Sequence, residues 1–344
     1  MSTAELPIAK TSKAPTIPKA KVDWIPLALA PIMALASLPF IGSTSTWLTL
    51  TLAGLAMGMI IFIIASGLTL IFGLMDVLNF GHGLFIAVGA FVAATVLGWL
   101  PAEWMTADSL GLNLLAMILA MFAAMVVSGI VGWIFERVLV RKVYGLHLMQ
   151  ILITMGGMVV GEELIKVIWG PEMRPMTLPT SLFGSVIFMD AGIEKYRLFA
   201  VVVGIIVFAV MMLVLNRTKL GLLIRAGVQD AEMVESLGYR IKALFVGVFV
   251  VGCALAGLGG VMWGFYQQSI IPQMGASINV LLFIVIIIGG LGSTGGAFLG
   301  AILVGLLSNY SGFLTPKINA VSTILLMVAI LVWRPNGLYK VTNR

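Results

Sequence analysis

Charged side chains are scarce in this chain. Only 10% of its 344 residues are Asp, Glu, Lys or Arg, whereas 60% are apolar, and the mean hydropathy is +1.12. Soluble domains carry about 25% charged residues. The composition therefore excludes an ordinary soluble domain and predicts an all-α, polytopic transmembrane bundle. The net charge of +6 is spread over short connecting loops, which suits membrane topology better than nucleic-acid binding.

Residues that support enzyme or cofactor chemistry are also rare. Cys253 is the single cysteine, so no disulfide can form within the chain. His82 and His147 have no second histidine or acid at the spacing of metal ligands. No Gly-x-x-x-x-Gly-Lys-Ser/Thr motif occurs, so the chain lacks the loop that would hold ATP. We therefore expect a protein that is not an enzyme and that needs no cofactor or metal.

Apolar runs suited to crossing a bilayer fill most of the chain. A spanning helix needs roughly 20 apolar residues. The run over 279–291 has only thirteen residues, about 20 Å of helix, which is too short to cross the membrane alone. We predict ten membrane segments: 24–41, 47–73, 84–100, 112–135, 147–169, 197–216, 244–266, 279–291, 296–314 and 318–334.

The positions of lysine and arginine predict the orientation. With ten crossings and both termini in the cytoplasm, fifteen of the twenty cations lie on the cytoplasmic side, as the positive-inside rule requires. Residues 1–22 are expected to be a disordered cytoplasmic tail, followed by one transmembrane domain over 23–344. The alternative for the N-terminus is a signal peptide cleaved near Ala34-Leu35-Ala36.

Two glycine-rich stretches, 73–83 and 289–296, interrupt the apolar runs. Irregular backbone survives at membrane depth only inside protein or along a water-filled path. Paired breaks in two halves of a chain point to a substrate route in transporters. Residues 80–90 and 293–301 each have a glycine pair followed by an apolar helix with small residues. This similarity suggests inverted pseudo-halves at about 23–170 and 197–344. The predicted path residues are Asp76, Asn79, Gly81, His82 and Gly83 in the first break, and Gly290, Ser293, Thr294 and Gly295 in the second.

Each of these residues also has a structural explanation. Asp76 and Asn79 could cap helix ends, and His82 could bond carbonyls that the break leaves free. If these residues instead line a path, we expect the two breaks to meet near the middle of the membrane. Gly81 and Gly295 would then be needed for close backbone approach.

Residues 217–243 form the one sizeable polar stretch on the predicted cytoplasmic side. A short amphipathic helix is expected over 220–238, ending at Gly238. This helix either lies on the membrane surface or docks a cytoplasmic partner. The residues assigned to docking are Leu222, Arg225, Asp230, Met233, Glu235 and Gly238.

From about residue 47 onward, the chain resembles the permease subunits of branched-chain amino-acid ABC importers. Six stretches carry the resemblance: Gly67-Leu68-Thr69-Leu70-Ile71-Phe72-Gly73, Asn79-Phe80-Gly81-His82-Gly83, Ile224-Arg225-Ala226 with Asp230, Ala254-Leu255-Ala256-Gly257-Leu258-Gly259-Gly260-Val261, Gly289-Gly290-Leu291-Gly292-Ser293, and Trp333-Arg334-Pro335-Asn336-Gly337-Leu338. The resemblance implies a bacterial inner-membrane permease. It also implies a second related permease, two cytoplasmic ATPase subunits and a periplasmic binding protein, with 217–243 as the ATPase coupling loop.

The lysine-rich extension and the pair Glu162-Glu163 depart from the pattern of the family. Glu162 and Lys166 are four residues apart, so we expect an ion pair between them and no evident partner for Glu163. Two other functions remain open from the residues alone. One is a sugar permease of the related importer group, and the other is an ion-coupled transporter or channel that works without an ATPase.

Overall fold

The structure, a computed structural model, describes residues 24–188 and 190–339. The predicted tail over 1–22 lies outside these residues. The described chain is almost entirely helical, which confirms the all-α prediction. Its α-helices are α1 (Ile25–Ile41), α2 (Thr44–Met75), α3 (His82–Trp99), α4 (Glu103–Thr106), α5 (Leu110–Val138), α6 (His147–Trp169), α7 (Lys195–Arg217), α8 (Lys219–Gln229), α9 (Ala231–Ser236), α10 (Ile241–Gln267), α11 (Met274–Gly289), α12 (Thr294–Leu314) and α13 (Asn319–Trp333).

Short strands occur only in two connections of the described chain. β2 (Ser185–Phe188) and β3 (Ala191–Glu194) form an antiparallel hairpin, with Ser185 opposite Glu194. β1 (Arg174–Pro175) pairs antiparallel with β4 (Ser269–Ile270). The second pairing ties the α6–α7 connection to the α10–α11 connection, so both lie at the same end of the bundle.

The long helix α2 is the centre of the bundle. It is buried without interruption over residues 58–72, as expected for a helix that is apolar on every side. α12 packs antiparallel on α2, with Gly58 against Ile302 and the ring of Phe62 5.2 Å from that of Phe298. Small residues let the two backbones approach closely, as is common between membrane helices.

The second central helix is α10, which contacts α2, α3 and α5. Gly252 of α10 lies against Gly67 of α2, and Gly257 lies against Gly89 of α3. On the other side, Cys253 fills the space beside Gly132 of α5. The single cysteine is therefore a buried packing residue.

Seven helical stretches in the described part of the chain are long and apolar enough to cross a membrane. α1 and α11 are shorter apolar helices, and α6 has 23 residues but carries Glu162, Glu163 and Lys166. Every predicted segment overlaps one of these ten helices. The eighth segment, predicted over 279–291, forms a longer helix of sixteen residues that begins at Met274.

Candidate functional site

The first glycine break begins where α2 ends. Asp76 has a left-handed backbone (φ 54°), and its amide donates to the carbonyl of Phe72 at 3.0 Å. Its half-exposed carboxylate lies 3.9 Å from Nε2 of His147, the first residue of α6. Asp76 therefore caps α2 at the end of the bundle where α6 starts, and it does not lie in the interior.

From Asp76 the chain turns back into the bundle along α6. The amide of Leu78 donates to Oε1 of Gln150 at 3.2 Å, and the amide of Phe80 donates to Oγ1 of Thr154 at 3.1 Å. On the other side, Nδ2 of Asn279 in α11 donates to the carbonyl of Phe80 at 2.6 Å. Side chains from two distant helices therefore satisfy the irregular backbone, which is the condition for such backbone at membrane depth.

The third helix restarts deep in the protein. His82, the first residue of α3, is fully buried, and its Nε2 lies 3.3 Å from the carbonyl oxygen of Ile64. Ile64 lies eleven residues before the end of α2. At 1.5 Å per residue, that is roughly 16 Å along the helix axis. The break is thus a re-entrant segment rather than a surface loop.

Around this re-entrant segment, three buried side chains each keep one polar atom without a hydrogen-bond partner among the described residues. These atoms are Nδ2 of Asn79, Nδ1 of His82 and Oδ1 of Asn279. The other amide atom of Asn79, Oδ1, accepts from Gly81 N at 3.0 Å. Asn79 therefore bonds the amide of Gly81, but within the described part of the chain the N-terminus of α3 has no side-chain cap. His82 contacts a carbonyl inside α2 and not one that the break leaves free. Both side chains keep a polar atom without a partner in the described chain.

Close glycine contacts hold the start of α3 in place. Gly83 lies against Gly275, the second residue of α11, backbone to backbone. A Cβ on Gly81 would lie 2.8 Å from both the ring of Phe135 and the carbonyl of Thr154. Gly81 is therefore needed for close approach, as expected.

The second break, residues 290–293, lies against the last turn of α2. A Cβ on Gly73, in the last turn of α2, would lie 2.7 Å from Cα of Gly292. The second break therefore contacts α2 itself, about nine residues beyond the level of Ile64, and this contact does not join it to the irregular segment 76–81. Ser293 caps α12, because its Oγ accepts from Gly296 N at 3.1 Å.

The structure therefore divides the predicted path residues into two groups. Asn79, Gly81, His82 and Gly83 lie in the interior, whereas Asp76, Gly290, Ser293, Thr294 and Gly295 lie at or beside the end of α2. The expectation that Gly295 is needed for close approach is wrong for this chain. A Cβ at Gly295 would meet no atom within 4 Å, since this position on α12 faces open space.

The polar stretch 217–243 folds into two helices rather than the one predicted. Asp230 separates α8 from α9 and caps α9, because its Oδ1 accepts from Met233 N at 2.9 Å. Gly238 follows the end of α9 by two residues and has a left-handed backbone with a φ of 87°, in line with the helix end predicted there. Leu222, Met233 and Leu237 are more than half exposed, although they are large and apolar, so this segment presents an uncovered apolar surface.

Contacts to α7 fix the position of α8. Arg225 donates through Nη2 to the carbonyl of Leu215 at 2.8 Å and through Nε to that of Gly221 at 3.1 Å. A Cβ on Gly221 would overlap the carbonyl of Leu215. Arg225 and Gly221 therefore stabilise the sharp turn between α7 and α8. Arg225 positions this segment through hydrogen bonds from its side chain to backbone carbonyls.

One sequence-based pairing on α6 is wrong. Lys166 Nζ binds Oε1 of Glu163 at 2.5 Å, and Glu163 is the partner instead of Glu162. Glu162 lies near the backbone of Ala276 at the start of α11, and its Oε1 is buried without a hydrogen-bond partner among the described residues. A carboxylate in this position is favoured by the unpaired amides of a helix N-terminus. Gln150, Thr154 and Asn279 were missed by sequence reasoning, although a polar residue in an apolar run is a recognisable signal.

A bundle of apolar helices with irregular backbone buried at its centre, and a polar two-helix segment at one end, is typical of a multi-pass membrane transport protein. The family model described as "Branched-chain amino acid transport system / permease component" matches residues 50–332. The chain therefore belongs to this family of permeases.

Relatives with curated names agree over nearly their whole lengths. The high-affinity branched-chain amino acid transport system permease protein BraD of Pseudomonas aeruginosa is 28% identical over 291 residues, which cover 83% of this chain and 93% of the relative. LivH of Escherichia coli is 25% identical over 292 residues, with coverages of 83% and 92%. A probable LivH of Methanocaldococcus jannaschii is 24% identical, with coverages of 80% and 87%. No solved structure gives a significant match.

Proposed function

We propose that this chain is the membrane-spanning permease subunit of a binding-protein-dependent ABC importer for branched-chain or similar amphipathic amino acids. The family match over residues 50–332 carries this proposal. The names of the relatives favour amino acids over sugars. The importer would also contain a second related permease, two cytoplasmic ATPase subunits and a periplasmic binding protein. A stand-alone ion-coupled transporter has no comparable support.

In this proposal the chain crosses the inner membrane ten times, with both termini in the cytoplasm. The ten helices of 15 residues or more in the described part of the chain provide the crossings. Arg137, Arg217, Lys242 and Arg334 lie at helix ends that this topology places together on the cytoplasmic side, in accord with the positive-inside rule. The hairpin of β2 and β3 then lies outside, where the binding protein docks.

The ten long helices divide into two inverted sets of five. The first set is α1, α2, α3, α5 and α6, and the second is α7, α10, α11, α12 and α13. The third helix of each set begins at the contact between Gly83 and Gly275, which lies where an inverted repeat would have its axis. In this arrangement the connection 76–81 corresponds to the connection 268–273. The similar stretches 80–90 and 293–301 then belong to helices at different positions in the two sets, α3 and α12.

ATP hydrolysis is coupled to transport through contacts between the ATPase subunits and the segment of α8 and α9. The exposed apolar side chains of Leu222, Met233 and Leu237 are the surface that an ATPase subunit covers, and Asp230, Glu235 and Gly238 shape its second helix. Closure of the ATPases changes the contacts made with this surface. Different contacts in two states are what shift a two-state equilibrium, here between outward and inward access.

The path uses both groups of break residues. Gly290, Ser293, Thr294, Gly295 and Asp76 border the route at the end of α2. Asn79, Gly81, His82 and Gly83 keep the start of α3 inside the bundle, with unpaired polar atoms on Asn79 and His82. A permease fed by a binding protein needs only weak, transient contacts with its substrate, because tight binding would slow release.

Uptake by cells tests this function directly. Deleting the gene should abolish high-affinity uptake of radiolabelled leucine, isoleucine and valine, and a plasmid copy should restore it. Loss of sugar uptake with unchanged leucine uptake would establish the sugar alternative. Uptake driven by an ion gradient in liposomes that contain the purified chain alone would establish the stand-alone alternative.

A further inference from the structure

A groove beside the α7–α8 turn has two different linings. Its inner part is a cavity of about 320 Å³ between α2, α7, α8 and α10, and every residue that lines it is apolar. A second pocket of about 430 Å³ adjoins it through Ala243 and contains Arg240, Lys242 and Glu235. Both volumes fall in the range of about 300 to 1,000 Å³ that is usual for small-ligand sites.

The apolar cavity opens towards the side of the bundle. Val251 is 52% exposed, and Gly247, one turn earlier on α10, is exposed as well. A Cβ at Gly247 would meet nothing within 4 Å. The floor of the cavity is built by Leu70 and Leu74 of α2. A flexible apolar chain entering from the bilayer would therefore occupy this space without moving any side chain.

Basic residues lie at the polar end of the groove and beside the α7–α8 turn. Arg240 and Lys242 line the second pocket. Arg217 and Lys219 flank the α7–α8 turn, directly before Leu220, which lines the cavity. Among the described residues that line the second pocket, Glu235 is the acid. Residues 217–243 as a whole carry five cations and three acids. This excess of positive charge attracts an anion, and the adjoining cavity selects for one with a long apolar tail.

We propose that this groove binds an anionic phospholipid, with one acyl chain in the apolar cavity and the phosphate beside Arg240 and Lys242. A zwitterionic lipid would bury the same acyl chain but gain less from the cations. Each Lys or Arg near an anionic lipid surface contributes about 1 kcal/mol, which corresponds to about a fivefold preference per cation. Ile224 of α8, only 6% exposed, forms part of the cavity wall, so the lipid supports α8 from below.

Native mass spectrometry of the full-length chain with equal amounts of phosphatidylglycerol and phosphatidylcholine tests this proposal. The wild-type protein should retain phosphatidylglycerol at least about fivefold better. Lys242→Gln and Arg240→Gln should each lower that preference about fivefold, with phosphatidylcholine retention unchanged. Equal retention of both lipids by the wild-type protein would overturn the proposal.

The acyl part of the site has its own matched pair of variants. Gly247→Trp should fill the cavity and lower the retention of both lipids severalfold. Gly98→Trp adds the same ring at another exposed helix glycine with open space around it, and it should change nothing. Gly247→Leu serves if the tryptophan variant fails to fold. Lipid retention by folded Gly247 variants equal to that of Gly98→Trp would place the lipid elsewhere and refute the assignment.

Discussion

Gly83 and Gly275 are each the second residue of a helix that begins inside the bundle, and their backbones touch. The two residues are 192 positions apart in sequence. Their contact fixes the start of α3 against the start of α11, so the two re-entrant connections support each other. A side chain at either position has no space because the neighbour on the other side is backbone, which cannot rotate away.

Gly83→Val and Gly275→Val should therefore each destabilise the protein. Overpacking a core commonly costs about 1–3 kcal/mol, occasionally more, and here the obstacle is rigid. We expect a fall in melting temperature in detergent, measured by fluorescence-detected size-exclusion chromatography. Gly98→Val, at an exposed position of α3 with open space, is the control. Equal melting temperatures for all three variants would show that the contact is not tight.

Thr154→Val should destabilise the re-entrant segment, because it leaves the amide of Phe80 without an acceptor. A buried unsatisfied donor costs about 1–3 kcal/mol. Thr154→Ser keeps the hydroxyl and should be nearly neutral. Thr69→Val is a matched control, since Thr69 is as deeply buried but bonds only to Ala65 O of its own helix. If both valine variants lose equal stability, the hydroxyl of Thr154 has no special role.

Asp230 should tolerate asparagine but not alanine. Asparagine can still accept from Met233 N, whereas loss of an N-cap costs about 1 kcal/mol and frays the helix. In proteoliposomes containing the whole importer, Asp230→Ala should lower leucine transport per ATP hydrolysed, while Asp230→Asn should not. Glu235→Lys reverses a charge on the proposed ATPase contact and should uncouple more strongly. Unchanged coupling in both Asp230→Ala and Glu235→Lys would remove α9 from the contact.

Cysteine labelling in intact cells tests the orientation. In a Cys253→Ala background, a membrane-impermeant maleimide should label a cysteine at Asp190, in the β2–β3 hairpin. It should not label one at Gln229 at the end of α8, or one at Lys13 in the N-terminal segment. All three positions should react after the cells are opened. Labelling at Gln229 from outside would reverse the topology.

Much of the fold could be predicted from composition and apolar runs. Each of the ten predicted segments overlaps a helix, because a long apolar run in lipid has few alternatives to helix. Seven helical stretches of the described chain are long and apolar enough to cross a membrane, and ten crossings stay a prediction. Helix ends were less certain, since α11 begins five residues before its predicted segment. The α8–α9 break was missed because Asp230 reads as an ordinary polar residue until its cap to Met233 is seen.

The candidate site was predicted only in part. Glycines and an asparagine in an apolar context predicted an interruption over 73–83, and the structure ends α2 at Met75 and begins α3 at His82. The residues that hold it, Gln150 and Thr154 on α6 and Asn279 on α11, are far away in sequence, and no local pattern links them to Phe80. The predicted ion pair between Glu162 and Lys166 is wrong for a similar reason. Helical spacing allows a lysine to pair with an acid either three or four residues away, and Glu162 lies instead near the start of α11, which is distant in sequence.

The hydrogen bond from Asn279 to Phe80 joins residues 199 positions apart. During synthesis the re-entrant segment must therefore wait for its last partner. At about 5–20 residues per second, a ribosome needs roughly 10–40 s to travel from one residue to the other. For that time the carbonyl of Phe80 lacks the hydrogen bond from Asn279. We therefore expect the re-entrant segment to reach its final position only after α11 has been synthesised.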